Sequence, residues 1–350
     1  MIEKIRVGSR CIGKREPVFI IAEAGVNHNG DIELARKLVD VARDAGADAI
    51  KFQTFKAEEV VTKRAPKAKY QIKTTGSGES HYEMIKKLEL DEEEFTELFK
   101  YATRKGIIFL STPFDFGSAD FLDSIGVPAF KVSSTDLTNL PFLEYLSEKR
   151  KPIILSTGMG TLGEVEEAVN TIRNAGNEDI VLLHCVTSYP AKFESLNLKA
   201  IETLETAFKL PVGFSDHSLG IFAPIAAVAL GAVIIEKHFT LDKNLPGPDH
   251  KASLNPKELK EMIEAIRLTE KALGDGIKRP VPEEEEIKKV ARRSIVAKVN
   301  IPKGTVITRD MITFKRPGTG LSPKYYGEII GRKTRRDVKA DELICWRDVE

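Results

Sequence analysis

The chain has 350 residues, with 53 Lys+Arg against 52 Asp+Glu, 42% hydrophobic and 30% charged residues. This balance removes the electrostatic case for a nucleic-acid-binding surface, and the apolar fraction is too high for disorder. Cys11, Cys185 and Cys345 show no CxxC spacing, which argues against a disulfide framework or thiolate zinc site and fits a reducing cytoplasm.

The first six residues carry charges and no apolar segment, so no signal peptide is expected. The longest apolar run, 219–235, contains Pro224 and Gly231 and falls short of the ~20 residues of a membrane span. It reads as a buried helix followed by a buried strand.

Eight short apolar runs recur along the chain, each ending in small or polar residues. They are VFIIAEAG (18–25), AIKFQTF (49–55), IIFLSTPF (107–114), AFKVSS (129–134), PIILSTG (152–158), IVLLHCVTSYP (180–190), PVGFSDH (211–217) and AVIIEKHF (232–239). Near-continuous apolar runs indicate parallel strands buried on both faces. Amphipathic helices follow most of them. Leu34, Leu38, Val41 and Ala45 form one stripe, ended at Gly46. Asp91 and Glu94 form a capping box ahead of Phe95, Leu98, Phe99 and Ala102, and Gly106 stops that helix. Pro256 opens a last helix with Leu259, Ile263 and Ile266 on one side.

This alternation predicts an α/β fold, a (β/α)8 TIM barrel over 1–278. An open doubly wound sheet is the alternative, but no GxGxxG follows the first strand. About sixty residues separate the second and third strands and include the polar stretch 74–80, which reads as a lid or partner contact. The segment 279–290, rich in charge and proline, reads as a linker or exposed bridging helix. Beyond it, 291–350 reads as a small, mainly β second domain with strands at 294–299 and 306–307.

A barrel of this kind carries its site at the carboxyl ends of its strands. Those ends bear Glu23, then Lys51 and Gln53, Ser111 and Thr112, Lys131 with Ser133 and Ser134, and Ser156 with Thr157. They continue with Thr187, Ser188 and Tyr189, then Ser215-Asp216-His217, and finally Glu236 and His238. Lysines inside central strands must meet anions, because a buried unpaired ammonium costs several kcal/mol. Lys51 and Lys131 therefore point to an anion site. His217 and His238 close adjacent strands, and their imidazoles suit a divalent metal of the Mn, Co or Zn type in an open site. A metal beside two lysines suggests joining an anionic partner to a polarised carbonyl. A Schiff-base aldolase using Lys51 or Lys131 is the competing chemistry and would not need the histidines.

These residues resemble the sialic acid synthases, which include N-acetylneuraminate, legionaminic and pseudaminic acid synthases. The resemblance rests on IAEAGVNHNG (21–30), KFQTF (51–55), STPFD (111–115), KVSS (131–134), LSTGM (155–159), GFSDHSLG (213–220), EKHFTLDKNLPGPDH (236–250) and KRPGTGL (315–321). It implies condensation of phosphoenolpyruvate with an open-chain N-acetylated aminosugar, N-acetylmannosamine first, with release of phosphate. The same chemistry on a diacetamido sugar is the alternative.

By resemblance, His217 and His238 hold the metal, manganese with magnesium or cobalt as substitutes. Lys51, Thr112, Lys131, Ser134, Ser156, Thr187 and Ser215 surround phosphoenolpyruvate, with a hydroxyl at Thr187 where some members carry asparagine. Glu23 orients or activates water, with Lys51, Lys131 and Glu236 also in the catalytic group. Gln53, Tyr189 and Asp249 lie around the sugar or metal-bound water. The second domain resembles the SAF, or antifreeze-like, domain. Its Arg316 would enter the partner subunit's site in a domain-swapped homodimer. An octulosonate-phosphate type of synthase would lack that domain. An ice-binding or purely structural protein is the alternative of a different class.

Overall fold

The computed structural model describes residues 4–350 and divides into two compact units, Met1–Gly274 and Asp275–Glu350. The first unit begins with an antiparallel hairpin, β1 (Lys4–Val7) and β2 (Arg10–Gly13). Eight strands follow: β3 (Phe19–Gly25), β4 (Ala49–Thr54), β5 (Ile108–Pro113), β6 (Phe130–Val132), β7 (Ile153–Ser156), β8 (Ile180–Cys185), β9 (Val212–Asp216) and β10 (Ile234–His238). Their hydrogen-bonded order is β5-β4-β3-β10-β9-β8-β7-β6, every pair parallel. The end strands β5 and β6 lie beside each other, which brings the ring round to the expected (β/α)8 barrel.

Side chains alternate across each strand, and the alternation divides the core in two. Outward residues such as Ile20, Ala22, Ile50, Phe52 and Phe109 pack under the helices. Inward residues begin as an apolar layer of Phe19, Ile21, Ala49, Leu110, Ala129, Ile154, Leu183 and Ile234. The hairpin side chains Ile5, Val7 and Ile12 join this layer and close the amino-terminal end of the barrel. Two residues further along, the inward positions turn polar: Glu23 on β3, Lys51 on β4, Thr112 on β5, Lys131 on β6, Ser156 on β7, Ser215 on β9 and Glu236 on β10. Gly213 is inward on β9, where an added Cβ would lie 2.6 Å from both the Ile234 Cβ and its carbonyl oxygen. Only glycine lets β9 and β10 approach there.

The helices follow the expected chemistry with one rotation of a face. Helix Glu92–Lys105 has the Asp91/Glu94 capping box and ends at Gly106, whose φ of 76° is left-handed. Helix Pro256–Leu273 starts at its proline and buries Leu259, Met262, Ile263 and Ile266. Helix Ile32–Ala45 centres its buried face on Ala35, Leu38, Val39 and Ala42, so Leu34 and Val41 flank the contact. The long connection is helical in three short pieces, Ala57–Val60, Lys69–Thr75 and His81–Lys86. Thr74 and Thr75 thus end a helix, and Ser80 caps the next by accepting from the Glu83 amide.

In the second unit, helix Glu284–Ala291 buries no side chain. β11 (Ser294–Ala297) pairs with β12 (Ile312–Lys315) antiparallel. The strand expected to reach residue 299 stops at Ala297, where the chain bends, and Val306 makes a single bridge to Lys333. Ile295, Ile301, Ile307, Ile329, Val338 and Ile344 are among the residues of a separate small core. Among the described residues no helix is long and apolar enough to cross a membrane.

Ile12 is fully buried in the barrel floor, far from the polar layer along the strand axis. Ile12→Ala is expected to cost about 2–5 kcal/mol by urea denaturation. A loss under ~1 kcal/mol would mean that the hairpin does not stopper the barrel.

Candidate active site

The polar inward layer opens into a cavity of about 550 Å³, within the usual size of a small-molecule site. Glu23, Lys51, Gln53, Thr112, Lys131, Ser134, Ser156, Thr187, Tyr189, Ser215, His217, Glu236, His238 and Asp249 all line it. Every barrel residue given a role by resemblance is therefore brought together, whereas Ser111, Thr157, Ser188 and Asp216 of the strand ends do not line the cavity. Arg316 stands exposed in the second unit, immediately after β12.

The strand register explains the convergence. Glu23 lies opposite both Lys51 on β4 and His238 on β10, and Glu236 lies opposite Ser215 on β9. The β3–β4 register shifts between Glu23 and Gly25, where Gly25 adopts a φ of 53°. A Cβ at Gly25 would come within 3.2 Å of Glu23 Oε1 and 3.3 Å of Gln53 Nε2, so this glycine makes room for the mouth.

Four buried charges hold the floor. Lys51 Nζ lies 2.8 Å from Glu23 Oε2 and 3.7 Å from Glu236 Oε2, and Lys131 Nζ lies 3.5 Å from Glu236 Oε1. Lys51 also donates to Thr112 Oγ1 at 3.1 Å, Gln53 Nε2 to Glu23 Oε1 at 3.3 Å, and Ser215 Oγ to Glu236 Oε1 at 2.9 Å. Burial pushes Glu23 from its ordinary 4.5 up to about 7, with the Lys51 ammonium opposing the rise. Burial also acts on Glu236, but Lys131, Lys51 and the Ser215 hydroxyl outweigh it and hold this carboxyl low. For Lys51 the two carboxylates outweigh burial and raise the ammonium, whereas burial wins at Lys131 and lowers it. Glu23 is thus the member whose charge changes near neutrality. Asp249, buried at the rim, is pushed up to about 6 by burial, with His217 opposing.

The two imidazoles face each other with ring centroids 5.5 Å apart. His217 Nδ1 lies 2.9 Å from the Val186 carbonyl and so donates to it. Burial opposes the charge on this ring, but Cys185 and the Val186 carbonyl outweigh it and raise the imidazole above the ordinary histidine value; where the ring is neutral, Nε2 is the acceptor and the Tyr189 hydroxyl donates to it at 3.0 Å. Burial and the neighbouring His217 and lysine charges hold His238 well below the ordinary histidine value, so it stays neutral. His238 Nδ1 and Ser156 Oγ are buried without hydrogen-bond partners. Unmatched polar atoms on residues that line a cavity mark a place for a ligand. Behind the histidines, on the outer face of the same strands, Lys237 pairs with Asp216 at 2.5 Å and donates to the Ser218 carbonyl. Among the described residues, no group of three or more His, Cys, Asp or Glu is placed to hold a metal unaided.

Sequence reasoning missed several cavity residues. Cys185 ends β8 with its Sγ 3.7 Å from His217 Nδ1, hidden in an apolar run. Tyr70 stacks on Tyr189 at 5.1 Å from the helix Lys69–Thr75, where no motif marks it. The stretch 74–80, which reads from the sequence as a lid or partner contact, lies off this cavity, and its residues 77–80 border a separate surface hollow with Arg64 and Lys67. Its neighbours Tyr70, Gln71, His81 and Met84 line the mouth instead.

Because the folded-state value of Glu23 lies above 4.5, the folded chain binds the extra proton between pH 4.5 and about 7. Stability attributable to this group therefore falls as pH rises through that window. The melting temperature of Glu23→Gln relative to the unaltered chain is expected to climb from pH 5 to pH 8. A flat difference would place Glu23 at an ordinary value.

A profile of the NeuB family matches residues 38–278, and a SAF domain profile matches 292–350. N,N'-diacetyllegionaminic acid synthase of Campylobacter jejuni is 52% identical over 93% of this chain and 98% of its own. Human N-acetylneuraminate-9-phosphate synthase is 37% identical over 96% and 93%. The crystal structure of the N-acetylneuraminic acid synthetase of Leptospira borgpetersenii, in complex with citrate, superposes with a TM-score of 0.72 at 38% identity, covering 81% of this chain and 94% of that one. With 52% identity to such a relative over 93% of its length, the chain belongs to the NeuB family of sialic acid synthases, barrel and SAF domain included.

Proposed function

We propose that this enzyme condenses phosphoenolpyruvate with the open-chain aldehyde of an acetamido sugar, adding water and releasing phosphate. The single observation that carries the reading is the buried Glu23–Lys51–Glu236–Lys131 set beside two facing imidazoles in one cavity. Lys51 and Lys131, with the hydroxyls of Thr112, Ser134, Ser156, Thr187 and Ser215, hold the carboxylate and phosphate. An arriving anion can compete with Glu23 for Lys51, which leaves Glu23 free to handle a proton. Carbon 3 of the enol attacks the aldehyde carbon, water adds to carbon 2, and the carbon–oxygen bond to phosphate then breaks. With its value near 7, Glu23 can take the proton of that water at neutral pH. Gln53, Tyr189 and Asp249 serve the sugar, and Glu236 keeps both ammonium groups in place.

His217 and His238 fit a divalent ion. Nitrogen donors suit manganese or cobalt better than calcium, the His217 tautomer turns the Nε2 pair toward the cavity, where an ion would displace the Tyr189 hydroxyl, and His238 has a buried orphan nitrogen. With two protein nitrogens, water or substrate would complete the shell, and manganese is the first choice with magnesium or cobalt as substitutes. Such an ion, when bound, supplies Lewis-acid polarisation of the aldehyde oxygen. The reading includes a homodimer in which Arg316 serves the sugar of the partner subunit. It does not favour a Schiff base, since both candidate lysines are tied to carboxylates.

Sequence reasoning put N-acetylmannosamine first. The 52% identity to a protein named N,N'-diacetyllegionaminic acid synthase, against 37% for the human protein, moves a diacetamido sugar ahead of it. Phosphate release from phosphoenolpyruvate with a panel of acetamido sugars is the test. Turnover should require a divalent ion and vanish with chelator. His217→Ala should lose at least ~100-fold in kcat with little change in Tm, and should weaken manganese binding measured by paramagnetic resonance. Borohydride trapping of substrate on Lys51 or Lys131, insensitive to chelator, would overturn the reading. Separately, Arg316→Ala should raise the sugar KM or lower turnover, and no change in either would remove Arg316 from the site.

A further inference from the structure

We infer that the loop after β3, residues 26–31, is a clip that aims Asp249 into the cavity, with Asn27 and Asn29 as its positioning residues. The inference rests on the reading above in which Asp249 serves the sugar, and it adds residues that touch no substrate. Asp249 is a buried lining residue at the cavity rim. Among the described residues no group donates a hydrogen bond to its carboxylate, so the backbone beneath it sets its aim. That backbone belongs to the segment between β10 and the helix Pro256–Leu273, whose one regular element is the single turn His250–Ala252. A segment with so little structure of its own needs outside contacts to hold one conformation.

Two side-chain ties from the clip supply them. Asn27 Nδ2 donates to the Phe239 carbonyl at 2.8 Å and to Ser253 Oγ at 3.0 Å, and Ser253 Oγ donates in turn to the Asp249 carbonyl at 2.8 Å. Asn27 therefore grips the segment near both ends and stands one hydrogen bond away from the Asp249 backbone. Asn29 Oδ1 accepts from His250 Nε2 at 3.1 Å, and His250 Nδ1 then accepts from the Thr240 hydroxyl at 2.6 Å. Burial holds His250 below the ordinary histidine value, so the ring stays neutral and keeps these two roles. Asn27, Thr240, His250 and Ser253 are at most 1% exposed, which makes each tie costly to lose. At Gly247 an added Cβ would lie 2.7 Å from His250 Cδ2 and 2.9 Å from Asn29 Oδ1, so the chain passes there only as glycine.

The clip has its own footing. Val26 packs with Phe55 and Leu88, and His28 Nδ1 accepts from the Gly30 amide at 3.1 Å. Burial pushes His28 down to about 4, so that acceptor persists at neutral pH. Asn27, His28, Asn29 and His250 all lie outside the cavity lining. Their place in the NHNG and PGPDH motifs follows from rim geometry, not from contact with a substrate.

Asn29 has a φ of 54°, so Asn29→Gly removes the amide without straining the backbone, and Asn29→Asp keeps the acceptor oxygen. Phosphate release by the full-length enzyme is measured with the fastest acetamido sugar of the panel above, varying sugar and phosphoenolpyruvate separately. Asn29→Gly should raise the sugar KM ~10-fold or more and leave the phosphoenolpyruvate KM within ~2-fold, and Asn29→Asp should recover most of the loss. Ser253→Ala, which cuts the other tie, is the second variant should the first fail to fold, and the same split is expected of it. Asp249→Ala should itself raise the sugar KM, and adding Asn29→Gly to it should change that KM by less than ~2-fold, because both act through one carboxylate. Effects that multiply in the double variant, equal changes in the two KM values, or no change in either would overturn the clip and leave the reaction standing. Asp249→Ala with an unaltered sugar KM would remove Asp249 from the sugar, and the clip's role with it. Phosphate release with none of the sugars would overturn the reaction itself, and the inference with it.

Discussion

Two carboxylates and two ammonium groups share the top of a barrel interior that bulk water scarcely reaches. None could be buried alone, because an isolated ion there would neutralise itself or unfold its surroundings. Together they sum to no net charge when all are ionised, and that compensation lets a polar layer sit directly above Phe19, Ile21 and Leu110. The arrangement is also uneven. Glu236 is shared between both lysines, while Glu23 has Lys51 alone among them at close range. An incoming anion therefore meets a set that can rearrange at one member without stripping every charge of its partner.

Strand alternation makes the two faces of β9 and β10 do different jobs. Inward, Ser215, Glu236 and His238 face the cavity; outward, Asp216 and Lys237 form a buried pair under the helices. His217 and His238 each follow immediately after one member of that pair. The imidazoles are thus anchored by a contact that never touches the cavity. His238 held this way keeps its Nδ1 free of any partner, whereas His217 is aimed in addition by the Val186 carbonyl and the Tyr189 hydroxyl.

The barrel was legible because its signal repeats: each strand has inward positions that are apolar early and polar late. That switch puts Glu23, Lys51, Lys131, Ser215 and Glu236 in one place from the sequence alone, and the motifs add their roles by resemblance. The hairpin was illegible because KIRV and RCIG are too short and too charged to read as strands. The short helices of the insertion were illegible for a related reason. Lys69–Thr75 buries no residue and has no apolar stripe, so its helicity comes from the surroundings rather than from its own pattern. Tyr70 was lost with it. Leu34 and Val41 stand out in the sequence by size, but the buried face of their helix includes the small residues Ala35 and Ala42.

The pairing of β3 with β10 has a consequence for synthesis of the chain. β3 is the first barrel strand to leave the ribosome, yet one of its two neighbours is the last, and the Val18 amide is bound by Glu270 further on still. Until some 215 residues later have emerged, the nascent sheet keeps an apolar edge without its mate. A chaperone that shields such edges during translation would meet this protein at that seam, and a ribosome stalled before β10 would release a product unable to close.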